Sequence, residues 1–248
     1  MSRHALSAGR RGQSHVVGVA LLLGITVVAL GTLTAGIGAM VGSNAATAET
    51  TRVADDLADG LGPIDREERV DARITFAEGS IGAESRTVRI GDPNGTVRTI
   101  ETDAVVYDRG DRRVSYHGGA VVRETRSGVV LEREPPIAAG PDPGDPVFLG
   151  IPVVDAGSTT VSGTGGVDVA IDGTVDHDRE RLANDTTELA IETPTPTAWE
   201  LALEDTPATV VTTQRRYDGD EHPSVVISFP TERDWYLLTY EAEVELRG

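Results

Sequence analysis

The chain of 248 residues has no cysteine and no lysine, and aromatic residues make up only 4% of it. Without cysteine there is no disulfide and no thiolate chemistry. All 22 basic residues are therefore arginine, set against 40 acids. With so few aromatic rings, any core must be filled mainly by aliphatic and β-branched side chains. Charge is also missing from one stretch, since Val16 to Val41 runs for 26 residues without a charged side chain. At 1.5 Å per residue a helix of that length spans roughly 39 Å, more than the ~30 Å hydrocarbon core of a bilayer. It is also longer than the apolar core of an ordinary secretory signal.

Charge is distributed sharply about this stretch. Arg3, Arg10 and Arg11 precede it, and every acid follows it, leaving 40 acids against 19 arginines, a net of −21. Arginines before the span and acids after it place the N-terminus in the cytoplasm and the long C-terminal part outside. A domain this acidic stays hydrated in concentrated salt and does not offer the clustered positive charge that nucleic acid requires. Inside the span Gly24, Gly31 and Gly38 recur every seven residues, with Val28, Ala35 and Gly42 between them. The 4-3-4-3-4 spacing draws one seam of mostly small side chains, of the kind along which helices approach in lipid, and Gly38 and Gly42 form a GxxxG pair.

The N-terminal residues Arg11-Gly12-Gln13-Ser14-His15-Val16-Val17-Gly18-Val19 resemble the class III signal of archaeal type IV pilin-like and archaellin-like proteins. The resemblance covers roughly the first 60 residues. His15 stands where haloarchaeal pilins often carry proline. Val17 stands where bacterial pilins carry a glutamate, which archaeal relatives commonly lack. The resemblance implies a short basic leader cut between Gly12 and Gln13 by a prepilin-type signal peptidase, and a long helix lying under a β domain. It implies a structural subunit, or an accessory protein, of an archaeal type IV pilus or archaellum-like system. Its partners would be the lipid bilayer, that peptidase, and other pilin-like subunits met through the helix. A monomeric single-span cell-envelope protein with a binding β domain is the alternative.

The expected organisation is a leader at 1–12, a transmembrane helix at 13–42, a helical stalk at 43–62 and an acidic extracytoplasmic β domain at 63–248. In the stalk Ala46, Thr50, Val53, Leu57 and Leu61 share one face, and Gly60, Gly62 and Pro63 end it. From Val70 the period changes to two. Short alternating runs such as Arg73–Phe76, Thr87–Ile90 and Thr96–Ile100 predict an antiparallel, β-sandwich-like domain. Asp92-Pro93-Asn94-Gly95 predicts a turn. The six prolines between Pro135 and Pro152 predict a loop or joint between two β layers. Thr195-Pro196 predicts the start of a short helix through Trp199 and Leu203. Whether the strands form one sandwich or two small layers is left open.

Little in the outer part points to chemistry. There is no G-x-S-x-G elbow and no H-E-x-x-H, so no enzyme, cofactor or metal site is expected. Asp218-Gly219-Asp220-Glu221-His222 gathers oxygen ligands without calcium-loop spacing and is expected to be an Asp-Gly turn. Asp176-His177-Asp178 is expected to be a charged loop, and Gly163-Thr164-Gly165-Gly166 a link between strands. Trp199 and Trp235 are expected in the core. Asn94 and Asn184 head N-glycosylation sequons. The processing expectation has a direct measurement: mass spectrometry of the mature chain should find Gln13 at its N-terminus, whereas an intact leader would exclude cleavage at that junction.

Overall fold

A computed structural model describes residues 11–92, 95–142, 144–183, 186–203, 211–229 and 233–248. The chain divides into two units, Met1–Ala48 and Glu49–Gly248. Helix α1, Arg11–Leu61, contributes to both. No proline interrupts it until Pro63, and a 3₁₀ turn at Gly62–Asp65 follows. Gly60 marks the place where the helix backbone meets the sheet: a Cβ there would lie 2.3 Å from the Ala72 Cβ. As the spacing predicts, Thr50, Val53, Leu57 and Leu61 are fully buried, while Asp55 and Asp59 are exposed.

Among the described residues the second unit, Glu49–Gly248, outer only in that it follows the apolar span along the chain, is built on twelve strands. In chain order they are β1 Arg69–Asp92, β2 Gly95–Arg109, β3 Arg112–His117, β4 Ala120–Thr125, β5 Gly128–Arg133 and β6 Ile137–Ala139. Then come β7 Val147–Asp155, β8 Val161–Arg181, β9 Glu188–Glu192, helix α2 Pro196–Leu203, β10 Val211–Arg215, β11 Ser224–Ser228 and β12 Trp235–Arg247. The expected class holds: mainly β, with a long apolar N-terminal helix. The pairing is antiparallel except that β12 runs parallel to β7.

Strand β1 organises the sheet. Its residues 80–92 pair with β2, its residues 69–81 with β8, and Val88 to Gly91 with β9. A bulge between Phe76 and Glu78 shifts its parity, so that Val70, Ala72, Ile74, Phe76 and Ile81 bury one face and Val88 and Ile90 the other. Strand β12 makes the same exchange without a bulge. Trp235 and Leu237 enter one core, and Tyr240, Ala242, Val244 and Leu246 the other. The first core lies under the end of α1. The second gathers β7, β9, β11 and α2 around the buried Trp199 and Trp235.

At one place side chains replace a ladder. Thr102 Oγ1 on β2 accepts a hydrogen bond from the Val154 N–H of β7 at 2.8 Å and donates to the Pro152 carbonyl at 3.3 Å. Asp103 accepts from the Ala156 N–H at 3.1 Å. The path β2–β1–β8–β12–β7 thereby returns to β2.

Three expectations need correction. The proline-rich stretch 135–152 is not simply a loop, because β6 and most of β7 fall inside it. Pro152 is accommodated in β7, since its carbonyl is taken by Thr102 and it has no N–H to leave unpaired. Gly163–Gly166 lies within β8, where Gly165 and Gly166, at φ 89° and 103°, form the bulge opposite Ala77. Asp176-His177-Asp178 is mid-strand in β8, paired with Glu241, Tyr240 and Thr239 of β12. The short runs 73–76 and 87–90 are parts of one strand.

Leu57 is fully enclosed by the first core. Leu57→Ala should therefore lower unfolding stability by about 2–5 kcal/mol, whereas Asp59→Ala on the exposed side should stay within ~0.5 kcal/mol. Denaturant melts of the two variants check this.

Candidate functional site

Two regions hold the residues singled out from the sequence. In the N-terminal unit every residue from Val17 to Ala45 is exposed, including Leu22 at 71% and Val28 at 66%. The helix is long and apolar enough to cross a membrane. Its hydroxyls are satisfied internally, as hydrocarbon requires: Thr26 donates to the Leu22 carbonyl at 2.8 Å, Thr32 to Ala29 at 2.9 Å and Thr34 to Leu30 at 2.9 Å. A Cβ added at Gly24, Gly31, Gly38 or Gly42 would meet nothing within 4 Å. Together with the exposed Ala35, the seam is an open helix face. Gly12 and Gln13 lie in the first turn of α1. Asn94 and Asn184 fall outside the described residues.

In the outer unit the polar groups are arranged for structure. Glu49, only 7% exposed, is clamped by β2: Arg109 Nη1 donates to its Oε1 at 3.0 Å. Tyr107 Oη lies 2.8 Å from the same oxygen and 2.7 Å from the Glu78 carbonyl, so one phenol proton serves two acceptors. Burial, and then the bond to Glu49, push the Tyr107 phenol up. Arg109 also pairs with Glu78 at 3.0 Å. The clamp was missed from the sequence. Its signal is that Glu49 is the first acid in the chain and lies four residues before Val53, on the buried stripe.

An open cleft of about 650 Å³ lies between β1, β2, β7 and the turn after β10. Arg86 forms its floor with a side chain 1% exposed, donating to the Ser85 carbonyl at 2.7 Å and paired with Glu84. Burial opposes ionisation of Glu84, but Arg113 and Arg86 outweigh it and hold the carboxyl below its ordinary range. The buried Glu192 accepts the Thr87 and His222 N–H groups, each at 3.0 Å. Asp220 is committed to Arg89 through two bonds of 2.7 and 2.5 Å. The Asp218–His222 segment is thus the expected turn, with Gly219 at φ 92°. Among the described residues no group of three His, Asp or Glu side chains gathers as metal ligands. Trp199 and Trp235, 1% and 0% exposed, are core residues as expected.

The helix, its seam and the β-rich outer unit define a protein class: a β domain carried on one apolar N-terminal helix of membrane-spanning length. The chain belongs to a family of unknown function, DUF7289, whose model matches residues 11–245. No curated protein and no solved structure matches it.

His117 ends β3 and is buried. Burial, and then the positive charge of Arg86, push its imidazole down to about 3, with the Glu192 backbone acting weakly in the other sense. The folded state holds this ring neutral, while the unfolded chain binds a proton below its ordinary pKa of about 6.5. Its contribution is complete above that pH and is lost as pH falls toward 3. The slope is up to about 1.4 kcal/mol per pH unit. Between pH 6.5 and 4 the His117→Gln variant should therefore show a shallower loss of stability with acidification than the parent, read from denaturation midpoints across that range.

Proposed function

We propose that this is a membrane-anchored, pilin-like structural subunit, or an accessory protein, of an archaeal type IV pilus or archaellum-like surface system. The observation that carries the reading is the open 4-3-4-3-4 seam on an uncharged, lipid-compatible helix, which continues as one α1 into the outer unit. Leucine-sized side chains at the seam would keep helices apart, whereas glycine lets backbones approach and pack by van der Waals contact. The resemblance of Arg11–Val19 to a class III signal supports the same reading. So does the charge distribution, since arginines before the span and acids after it favour an orientation with the acidic β unit outside. A surface of this composition suits concentrated salt, where the Debye length at about 1 M is ~3 Å and self-repulsion is screened.

The alternative, a monomeric envelope protein using the helix only as an anchor, is favoured by Val17 at the position of the bacterial glutamate. The two separate in one experiment. The chain lacks cysteine, so Val28→Cys places a single thiol on the seam. Full-length copies in membranes should form disulfide dimers through it, and Gly31→Leu with Gly38→Leu in the same chain should abolish them. Dimer yield unchanged by the leucines, or no dimer at all, favours the monomeric anchor.

A further inference from the structure

Strand β8 sorts its charges by face. From Asp176 to Arg181 the sequence alternates acid and base, so Asp176, Asp178 and Glu180 project to one side and His177, Arg179 and Arg181 to the other. Each face holds charge left without a counterpart. On the helix side, beyond the cover of α1, Phe148 of β7 stacks on Tyr236 of β12, with centroids 5.3 Å apart and planes at 16°. Arg179 lies over the Tyr236 ring at 5.0 Å. Its neighbour Arg181 is paired with Asp234 at 2.6 Å, but Arg179 forms no ion pair among the described residues. Other arginines, such as Arg52 and Arg133, also lack an ion pair among the described residues but donate to backbone carbonyls, whereas Arg179 has only the ring. It sits on a ring stack of a half-buried Tyr236 and a Phe148 that is 37% exposed, in a chain that has few aromatic residues and buries most of them.

The other face shows the converse. Asp176 stands directly opposite Glu241, and Glu243 opposite Asp155 on the next rung. All four are exposed and none forms an ion pair among the described residues, although Arg69 lies on the same face. Like charges directly abreast on neighbouring strands destabilise a sheet, and a cation brought against them relieves the repulsion.

We propose that these two faces meet between copies: the Phe148–Tyr236–Arg179 patch of one molecule docks on the Asp176–Glu241 and Glu243–Asp155 rungs of the next. The proposal rests on the subunit reading above. The faces lie on opposite sides of one sheet, so a molecule cannot satisfy itself. The contact is heterologous and runs head to tail, extending a row of outer domains rather than closing a dimer. Arg179 supplies the charge match, and the ring stack supplies apolar area that survives when salt screens charge.

The test uses two differently tagged full-length chains produced together. One carries Ala138→Cys, at an exposed position paired with Phe148, and the other Thr174→Cys, paired with Glu243. A bismaleimide should yield the mixed product. Arg179→Glu in the Ala138→Cys chain should remove it, Arg179→Gln should reduce it, and Glu243→Arg in the partner should restore it against Arg179→Glu. Thermal melts of each variant establish that the domain remains folded. Absence of the mixed product while Val28→Cys copies still cross-link overturns this surface and leaves the subunit reading standing. Loss of both cross-links overturns both, and a mixed product indifferent to Arg179→Glu overturns the charge match.

Discussion

The architecture depends on one strand serving two cores. β1 is 24 residues long, too long for a flat ribbon to bury the same face throughout. Its bulge and twist let the first half close over the end of α1 while the second half turns its other face to the tryptophan core. β12 makes the same exchange one strand away, across β8, so both strands contribute to both layers. A domain with few aromatic residues obtains two separate interiors in this way, the first filled chiefly by valine, isoleucine and alanine and the second by isoleucine, leucine and valine.

The helix joins this arrangement through a charge. Glu49 is held by Arg109 and Tyr107 at the edge of the first core, and the carboxylate is tolerated there because both a cation and a neutral donor reach it. Several other buried polar groups are likewise taken up by structure, although Tyr116 Oη, Ser224 Oγ and the Trp199 and Trp235 indole N–H groups find no hydrogen-bond partner among the described residues. Glu192 holds two backbone donors, Thr102 substitutes for a ladder between β2 and β7, and Arg86 binds its own strand. In the cleft they border, Arg86, Glu192 and Asp220 are each engaged within the fold.

Much of the fold was legible from the sequence. The uncharged span, the stripe of Val53, Leu57 and Leu61, and the Thr195-Pro196 helix start all follow from local rules. What was hidden depended on distance along the chain. Nothing near Pro152 announces that β12 will run parallel to it, and prolines read locally as a loop. Asp176-His177-Asp178 reads as a loop because charge is usually solvated. Its alternation with Arg179 and Arg181 was the available signal for a strand with two polar faces. The seam was legible as spacing, and the structure adds that its face is open.

The position of β12 has a consequence for how the molecule is made. β12 follows every other described strand along the chain, yet it lies in the interior of the sheet, between β8 and β7, rather than at its rim. Neither of those neighbours can complete its ladder until β12 has been made. The long β8 must wait with one side unzipped while its acids and arginines stay in water. Closure of the sheet therefore waits on β12 and is made slow by pairings between remote segments.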